Sequence, residues 1–274
     1  VKPFAQTFPT IADMTLSDSQ GRQIYHALQT SARQRFADGF ELFASYTWSK
    51  VLTDAVRGFF TDLGQTGSPA FTGPDPYNRK ADYGPAHFDV THAASLAFLY
   101  DLPFGKGRAH MTAANPVIEA VLGGWSLSGM AVWHTGMPLT INAQDVSGVG
   151  SRAGSARPDL VPGQRLQGPK NAGLESSWLN PAAFQSPVAG TFGNAGVGIV
   201  RGPGMANLDL SLMKRFRLGD QKRHVELRAD GFNVTNSPIF NAPSVAFGGG
   251  NTNFGKITSA QNERQVQLAV KLVF

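Results

Sequence analysis

The 274-residue chain contains no cysteine, which excludes a disulfide framework, thiol catalysis and thiolate metal ligation. It has no run of about eighteen consecutive apolar residues, so no segment is long enough to cross a bilayer as a helix. Charge is sparse, with Asp, Glu, Lys and Arg making up 16% of the chain and a net charge of +5. The cations are scattered, and nucleic-acid binding needs them concentrated on one face with interleaved aromatics. No nucleic-acid partner is expected. The six histidines are dispersed; His87 and His92, five apart, fall on opposite faces of a strand and suit no single metal. No Gly-x-Ser-x-Gly elbow occurs, and Ser126 and Ser128 have no histidine and carboxylate in evident register. The glycine clusters at 148–150 and 248–250 lack the helix and lysine that follow a phosphate-binding loop. They read as loop punctuation, and no cofactor, metal or catalytic constellation is expected.

What the chain does have is alternation. Its last residues, Arg264-Gln265-Val266-Gln267-Leu268-Ala269-Val270-Lys271-Leu272-Val273-Phe274, place Val266, Leu268, Val270, Leu272 and Phe274 on one face of a strand, since side chains in a strand alternate with a period of two. About ten residues, tilted, cross a bilayer as a strand. The aromatic terminus resembles the C-terminal signal by which Gram-negative barrel proteins are recognised for insertion. These five residues therefore read as an assembly signal addressed to the barrel-assembly machinery. A half-buried strand of a soluble sandwich would show the same alternation.

Six further segments read as strands, at 23–36, 40–52, 87–100, 125–143, 205–218 and 223–236. Their connections sort by length. Turns at Asp38-Gly39 and Gly219-Asp220-Gln221 fall on the side of the C-terminus, and long connections at 53–86, 144–204 and 237–254 fall on the other. Short periplasmic turns and long external loops are the asymmetry of outer-membrane barrels. A soluble sandwich rarely needs connections of thirty to sixty residues. The segment 101–124 departs from the pattern, being long yet periplasmic, and its Asn115-Pro116 start predicts a short helix. Phe40, Leu42, Ala44, Tyr46 and Trp48 are assigned to lipid and Glu41, Phe43, Ser45, Thr47 and Ser49 to the lumen. Leu208, Leu210, Leu212, Val225, Leu227 and Ala229 are likewise assigned to lipid. Tyr46, Trp48, Tyr100, Trp125 and Trp133 sit near strand ends, as aromatic girdles do.

The predicted fold is all-β: an antiparallel transmembrane barrel segment of about seven strands. Single-chain bacterial barrels have even strand numbers from eight upward, and an open sheet in lipid leaves two edges of unsatisfied backbone groups. The chain also begins at Val1 without a charged-then-apolar export signal. It is therefore expected to be the C-terminal part of a larger polypeptide.

Several motifs then follow one another in a recognisable order. Tyr25-His26-Ala27-Leu28-Gln29, Ala44-Ser45-Tyr46-Thr47-Trp48-Ser49-Lys50, Asp101-Leu102-Pro103-Phe104-Gly105-Lys106-Gly107 and Gly123-Gly124-Trp125-Ser126-Leu127-Ser128-Gly129 come first. Trp178-Leu179-Asn180-Pro181-Ala182-Ala183-Phe184, Phe192-Gly193-Asn194, Arg201-Gly202-Pro203-Gly204 and Arg228-Ala229-Asp230-Gly231-Phe232-Asn233 continue the series to the terminal strand. From about Gly21 onward the chain resembles the TonB-dependent receptors of the Oar-like type. Val234-Thr235-Asn236 departs from that pattern, which usually has an aromatic before the Asn.

The resemblance implies a plugged barrel of about twenty-two strands, often preceded by a carboxypeptidase-regulatory-like sandwich domain, that imports a scarce solute with energy passed through TonB. It implies a Gram-negative outer membrane, with the lipid bilayer, lipopolysaccharide and TonB, reached through an N-terminal part not in this sequence, as partners. All of 1–274 would belong to the barrel, with the plug and N-terminal domains absent. No enzyme activity is expected, although a structural or adhesive surface protein and a barrel-embedded hydrolase remain as alternatives. Solute contacts are expected in the loops 53–86 and 144–204, where aromatics and cations occur together: Phe59, Phe60, Phe71, Tyr77, Arg79, Arg152, Arg157 and Trp178. The same residues could instead pack the loops against one another.

Overall fold

The computed structural model describes residues 21–36, 39–54, 75, 78–105, 108–111, 115–148, 156–169, 173–218 and 223–274. Seven long strands run in chain order: β1 (Gln23–Arg35), β2 (Phe40–Thr53), β3 (His92–Asp101), β4 (Trp125–His134), β5 (Met205–Arg217), β6 (His224–Phe232) and β7 (Gln265–Val273). Each pairs antiparallel with the next, giving one up-and-down sheet with β1 and β7 at its edges. A seven-residue helix, α1 (Pro116–Leu122), lies in the β3–β4 connection. No helix among the described residues is long and apolar enough to cross a membrane.

The period of two in the sequence becomes two chemically distinct faces. Cross-strand partners share a face, and the register Phe98↔Gly129, Gly129↔Leu210, Leu210↔Gly231 and Gly231↔Val266 runs one row of apolar or small residues across five strands. The same face carries Leu42, Leu96, Ala131, Leu208, Leu212, Val225, Leu227, Leu268 and Val270, as the alternation predicts. Gly129 makes room there: a Cβ on it would lie 2.6 Å from Leu210 Cδ2 and 2.7 Å from Phe98 Cε1. The opposite face carries Ser45, Ser95, Asp209, Ser211, Arg215, Glu226, Arg228 and Asp230.

The expected aromatic belts are on the apolar face. Trp48, Tyr46, His92 and Trp133 form one group, with Tyr46 Oη and His92 Nδ1 2.8 Å apart and the His92 ring 6.4 Å from Trp133. Phe40, Tyr100 and Trp125 lie at the short-turn end, the Phe40 and Tyr100 rings meeting edge-on at 5.7 Å. Phe40 and Trp48 are eight residues apart, about 26 Å along a strand. A tilt of about 40° makes that roughly 20 Å of height, the scale of an outer-membrane apolar band.

Three strands are shorter than the alternation predicts, each for a packing reason. β3 begins at His92 because 86–89 form a turn, the Asp89 N–H donating to Ala86 O at 2.9 Å. β4 ends at His134 because Gly136 passes so close to the 202–203 backbone that a Cβ would lie 1.8 Å from Gly202 O. β6 ends at Phe232 because Asn233 and Asn236 turn into left-handed conformations, at φ +48° and +51°. Val234, which departs from the resembled pattern, hydrogen-bonds back to β5 through its N–H to Leu208 O at 2.9 Å. Of the predicted short turns, Asp38 and 219–221 lie outside the described residues; Gly39 takes a left-handed φ of +78°, which glycine adopts without steric cost.

The two faces make a direct prediction. Leu212 lies near the middle of β5 on the apolar face and is 39% exposed, so Leu212→Arg should cost about 2–4 kcal/mol of stability in a bilayer. Met213→Arg, one residue on and facing the other way, should cost far less. Urea unfolding of the two variants in lipid vesicles distinguishes them, and equal losses would mean that the faces are misassigned.

Candidate functional site

At the end opposite the short turns, the described parts of the long connections, 78–91, 135–148, 156–169, 173–204 and 233–264, fold together into a body of their own. Short strand pairs tie it: Pro138–Leu139 with Val200–Arg201, Asp159–Leu160 with Phe184–Gln185, Ile239–Phe240 with Ala260–Gln261, and a parallel pair of Asn142–Ala143 with Ala246–Phe247. Its core is Ile141, Leu179, Ala183, Phe184, Val200 and Phe254, with Leu139, Trp178 and Phe247 packed on it. Local sequence explains part of this. Asn180 caps a 3₁₀ turn at Pro181–Ala183, its Oδ1 accepting the Ala182 N–H at 3.1 Å, and the turn brings Leu179 and Phe184 into one cluster. Gly248, Gly249 and Gly250 all have positive φ, so that cluster is backbone punctuation, as expected.

Two buried ion pairs fasten this body. Asp89 is fully buried; its Oδ1 accepts the Val51 N–H at 2.6 Å and its Oδ2 accepts Arg201 Nη2. Arg201 Nη1 also donates to Asp89 O and Gly136 O, each at 3.0 Å, and its own carbonyl accepts Trp178 Nε1–H at 2.8 Å. The guanidinium joins the turn before β3 to the exit from β4, Asp89 carries that link to the end of β2, and the Arg201 carbonyl carries it to the loop core. In the second pair Arg157 donates to Asp82 Oδ1 and Ala81 O, each at 2.9 Å. Burial pushes the Asp82 carboxyl above its ordinary range, opposed by the Arg157 charge, and burial lowers the Arg157 guanidinium.

The body folds over the polar face of the sheet. Val51 and Thr53, which share the face of Ser45 and Ser49, are buried beneath it, whereas Trp48 on the apolar face stays exposed. Below lies a hydrogen-bonded polar wall. Asp209 Oδ1 accepts the Asn207 amide at 2.9 Å and the Asn233 N–H at 2.8 Å. Arg228 Nε donates to Asp230 at 2.7 Å and to Ser211 at 3.1 Å, and Arg215 Nη2 donates to Glu226 at 3.0 Å.

The sequence-predicted contact residues divide accordingly. Arg157 is buried in its ion pair, and Trp178 packs on the loop core. Arg79 keeps much of its side chain in solvent and reaches Asp54 Oδ1 at 3.4 Å. Phe59, Phe60, Phe71, Tyr77 and Arg152 lie outside the described residues. A cleft of about 560 Å³ in the loop body is lined by Gln164, Arg165, Gln167, Ser177 and Asn180 among others, within the usual size of small-molecule sites, about 300–1,000 Å³. Sequence reading did not single out Arg165 or Asp89, the partner of Arg201, because no local pattern marks them. The arrangement offers hydrogen bonds and fixed charge, the means of recognising a polar solute.

A family model described as outer membrane beta barrel domain matches residues 2–267. No curated protein matches the chain.

Proposed function

This chain belongs to the outer membrane beta barrel domain family and so resides in the outer membrane of a Gram-negative bacterium, and on that premise we propose that it is barrel wall and external loops of a TonB-dependent receptor taking up a scarce solute. The observation that carries the reading is the position of the loop body. It is a packed unit fastened by Asp89–Arg201 and Asp82–Arg157 over the polar face, where a solute entering the barrel would meet it. An adhesive surface protein would gain more from loops splayed outward. The ordered series of motifs resembling Oar-like receptors supports the same reading, as does the sheet, which among the described residues is open at β1 and β7, whereas a sheet in lipid needs closure.

In this reading the sheet is part of a barrel of about twenty-two strands, with a plug and a TonB-contact segment supplied by the rest of the polypeptide. Recognition lies in the loops, borne on a rigid scaffold as binding loops commonly are, with Arg79 and the cleft around Arg165 as described candidates. The test uses the full-length protein on whole cells. Uptake should stop when the inner-membrane proton gradient is collapsed or TonB is removed, while surface binding persists. Shortening the loops 53–86 and 144–204 should abolish binding with the barrel still assembled. Energy-independent retention of whole cells on a surface would favour adhesion; turnover of an ester or glycoside by the purified protein would favour a hydrolase. Binding and uptake that survive both deletions would move the site to the plug or the lumen wall.

A further inference from the structure

Helix α1 has its polarity reversed for a segment in water. Asn115 caps it, Oδ1 accepting the Ile118 N–H at 2.9 Å, and Pro116 opens it. Its one charged residue, Glu119, turns inward: a Cβ on Gly123 would lie 2.5 Å from Glu119 Oε1, and one on Gly105 would lie 2.9 Å from Oε2. Val117 and Val121, one turn apart and so on one face, point outward at 72% and 60% exposed. Amphipathic helices of soluble domains do the opposite, burying apolar residues and exposing charge.

The helix sits on the apolar side of the sheet. Lys214 shares a face with Leu212, Phe216 and its register partners Trp125 and Leu227. Its Nζ donates to Gly123 O, lies 3.4 Å from Val121 O, and stands 5.3 Å from the Trp125 ring centroid. Trp125 Nε1–H also donates to Val121 O, at 2.9 Å. A lysine on the lipid side of a barrel is costly. Here the carbonyl end of α1 buries and solvates it, with the helix dipole favouring a cation at that end.

We propose that α1 lies in the periplasmic leaflet of the outer membrane as an interfacial helix, Val117 and Val121 inserted among phospholipid acyl chains and Lys214 pinning the helix to the barrel wall. The occupant follows from continuity: the exposed apolar face of α1 extends the face already assigned to lipid, at the level of the Phe40, Tyr100 and Trp125 belt. An apolar face with charge turned away from it is the signature of a helix lying in the interface.

The chain has no cysteine, so single cysteines can be placed in the full-length protein, after replacement of any cysteine elsewhere in it, and labelled with an environment-sensitive fluorophore. Val117→Cys and Val121→Cys report the helix, and Val188→Cys, equally exposed at 71% but on the loop body, is the aqueous control. Each is reconstituted into phosphatidylethanolamine–phosphatidylglycerol vesicles, and heat-modifiable migration selects assembled protein. The helix labels should be quenched by brominated lipid and be several-fold less accessible to iodide than the control. Iodide quenching equal to the control would overturn the proposal. Protection from iodide without bromolipid quenching would also overturn it, by placing a protein surface such as a second copy on the helix. If one variant does not assemble, the other reports the same face.

Discussion

Replacing Asp89 with alanine should loosen the external loop body by about 3–5 kcal/mol, the scale of removing one member of a buried ion pair. The carboxylate is 0% exposed and serves two partners, the Val51 N–H and the Arg201 guanidinium. Alanine leaves a buried backbone donor without an acceptor and a largely buried cation without its counter-charge. Asp89→Asn retains an acceptor for Val51 and should cost less, about 1–3 kcal/mol. Arg201→Met should resemble Asp89→Ala, and the double variant should lose less than the two single losses added, because both remove the same contact. Hydrogen exchange of the full-length protein in a bilayer reads the result. Amides around Val51, Gly136 and Arg201 should exchange faster while those of β5 to β7 keep their protection. An unchanged pattern in Asp89→Ala would show that the loop core alone holds the body, and the fastening role assigned to this pair would fall.

Much of the sheet was legible because a strand's face pattern is local. Leu208, Leu210 and Leu212 declare their face within five residues, and the sheet keeps that pattern because a slip of one residue would turn every side chain over. The α1 start was legible for the same reason, since Asn115 and Pro116 act on their own turn. Strand ends were not. Phe88-Asp89-Val90 reads as continued alternation, and only the arrival of Arg201, 112 residues later in the chain, makes Asp89 a buried acceptor and the segment a turn. Gly136 likewise ends β4 because of where Gly202 lies. Arg201-Gly202-Pro203-Gly204 stood out as a motif, but its partners could not be read from it. Arg157 looked like a loop cation available to solute; Asp82, 75 residues away, occupies it. The outward face of α1 was hidden too, because seven residues containing one charge do not say which side is covered.

Deleting Phe274 should lower the amount of assembled protein in the outer membrane several-fold while leaving synthesis and intrinsic stability unchanged. Phe274 follows the last paired residue, Val273, which is opposite His224, and is 93% exposed. So few contacts give it little to contribute to the folded state, and surface substitutions of that kind usually stay within about 0.5 kcal/mol. Its value lies earlier. β7 carries an apolar face of Val266, Leu268, Val270 and Leu272, all largely exposed, and among the described residues pairs along one edge alone, with β6. An exposed apolar edge strand is prone to pair with whatever reaches it first, so an exported chain needs it recognised before it aggregates. The terminal aromatic, on the same face as that apolar row, is the residue placed to be read. Surface labelling of the full-length protein measures assembly, and urea unfolding of protein refolded into vesicles measures stability. Phe274→Tyr should retain assembly and Phe274→Ala should lose most of it. Unchanged surface levels after deletion would remove the signal role, and a stability loss above about 1 kcal/mol in vesicles would make Phe274 a packing residue of the closed barrel instead.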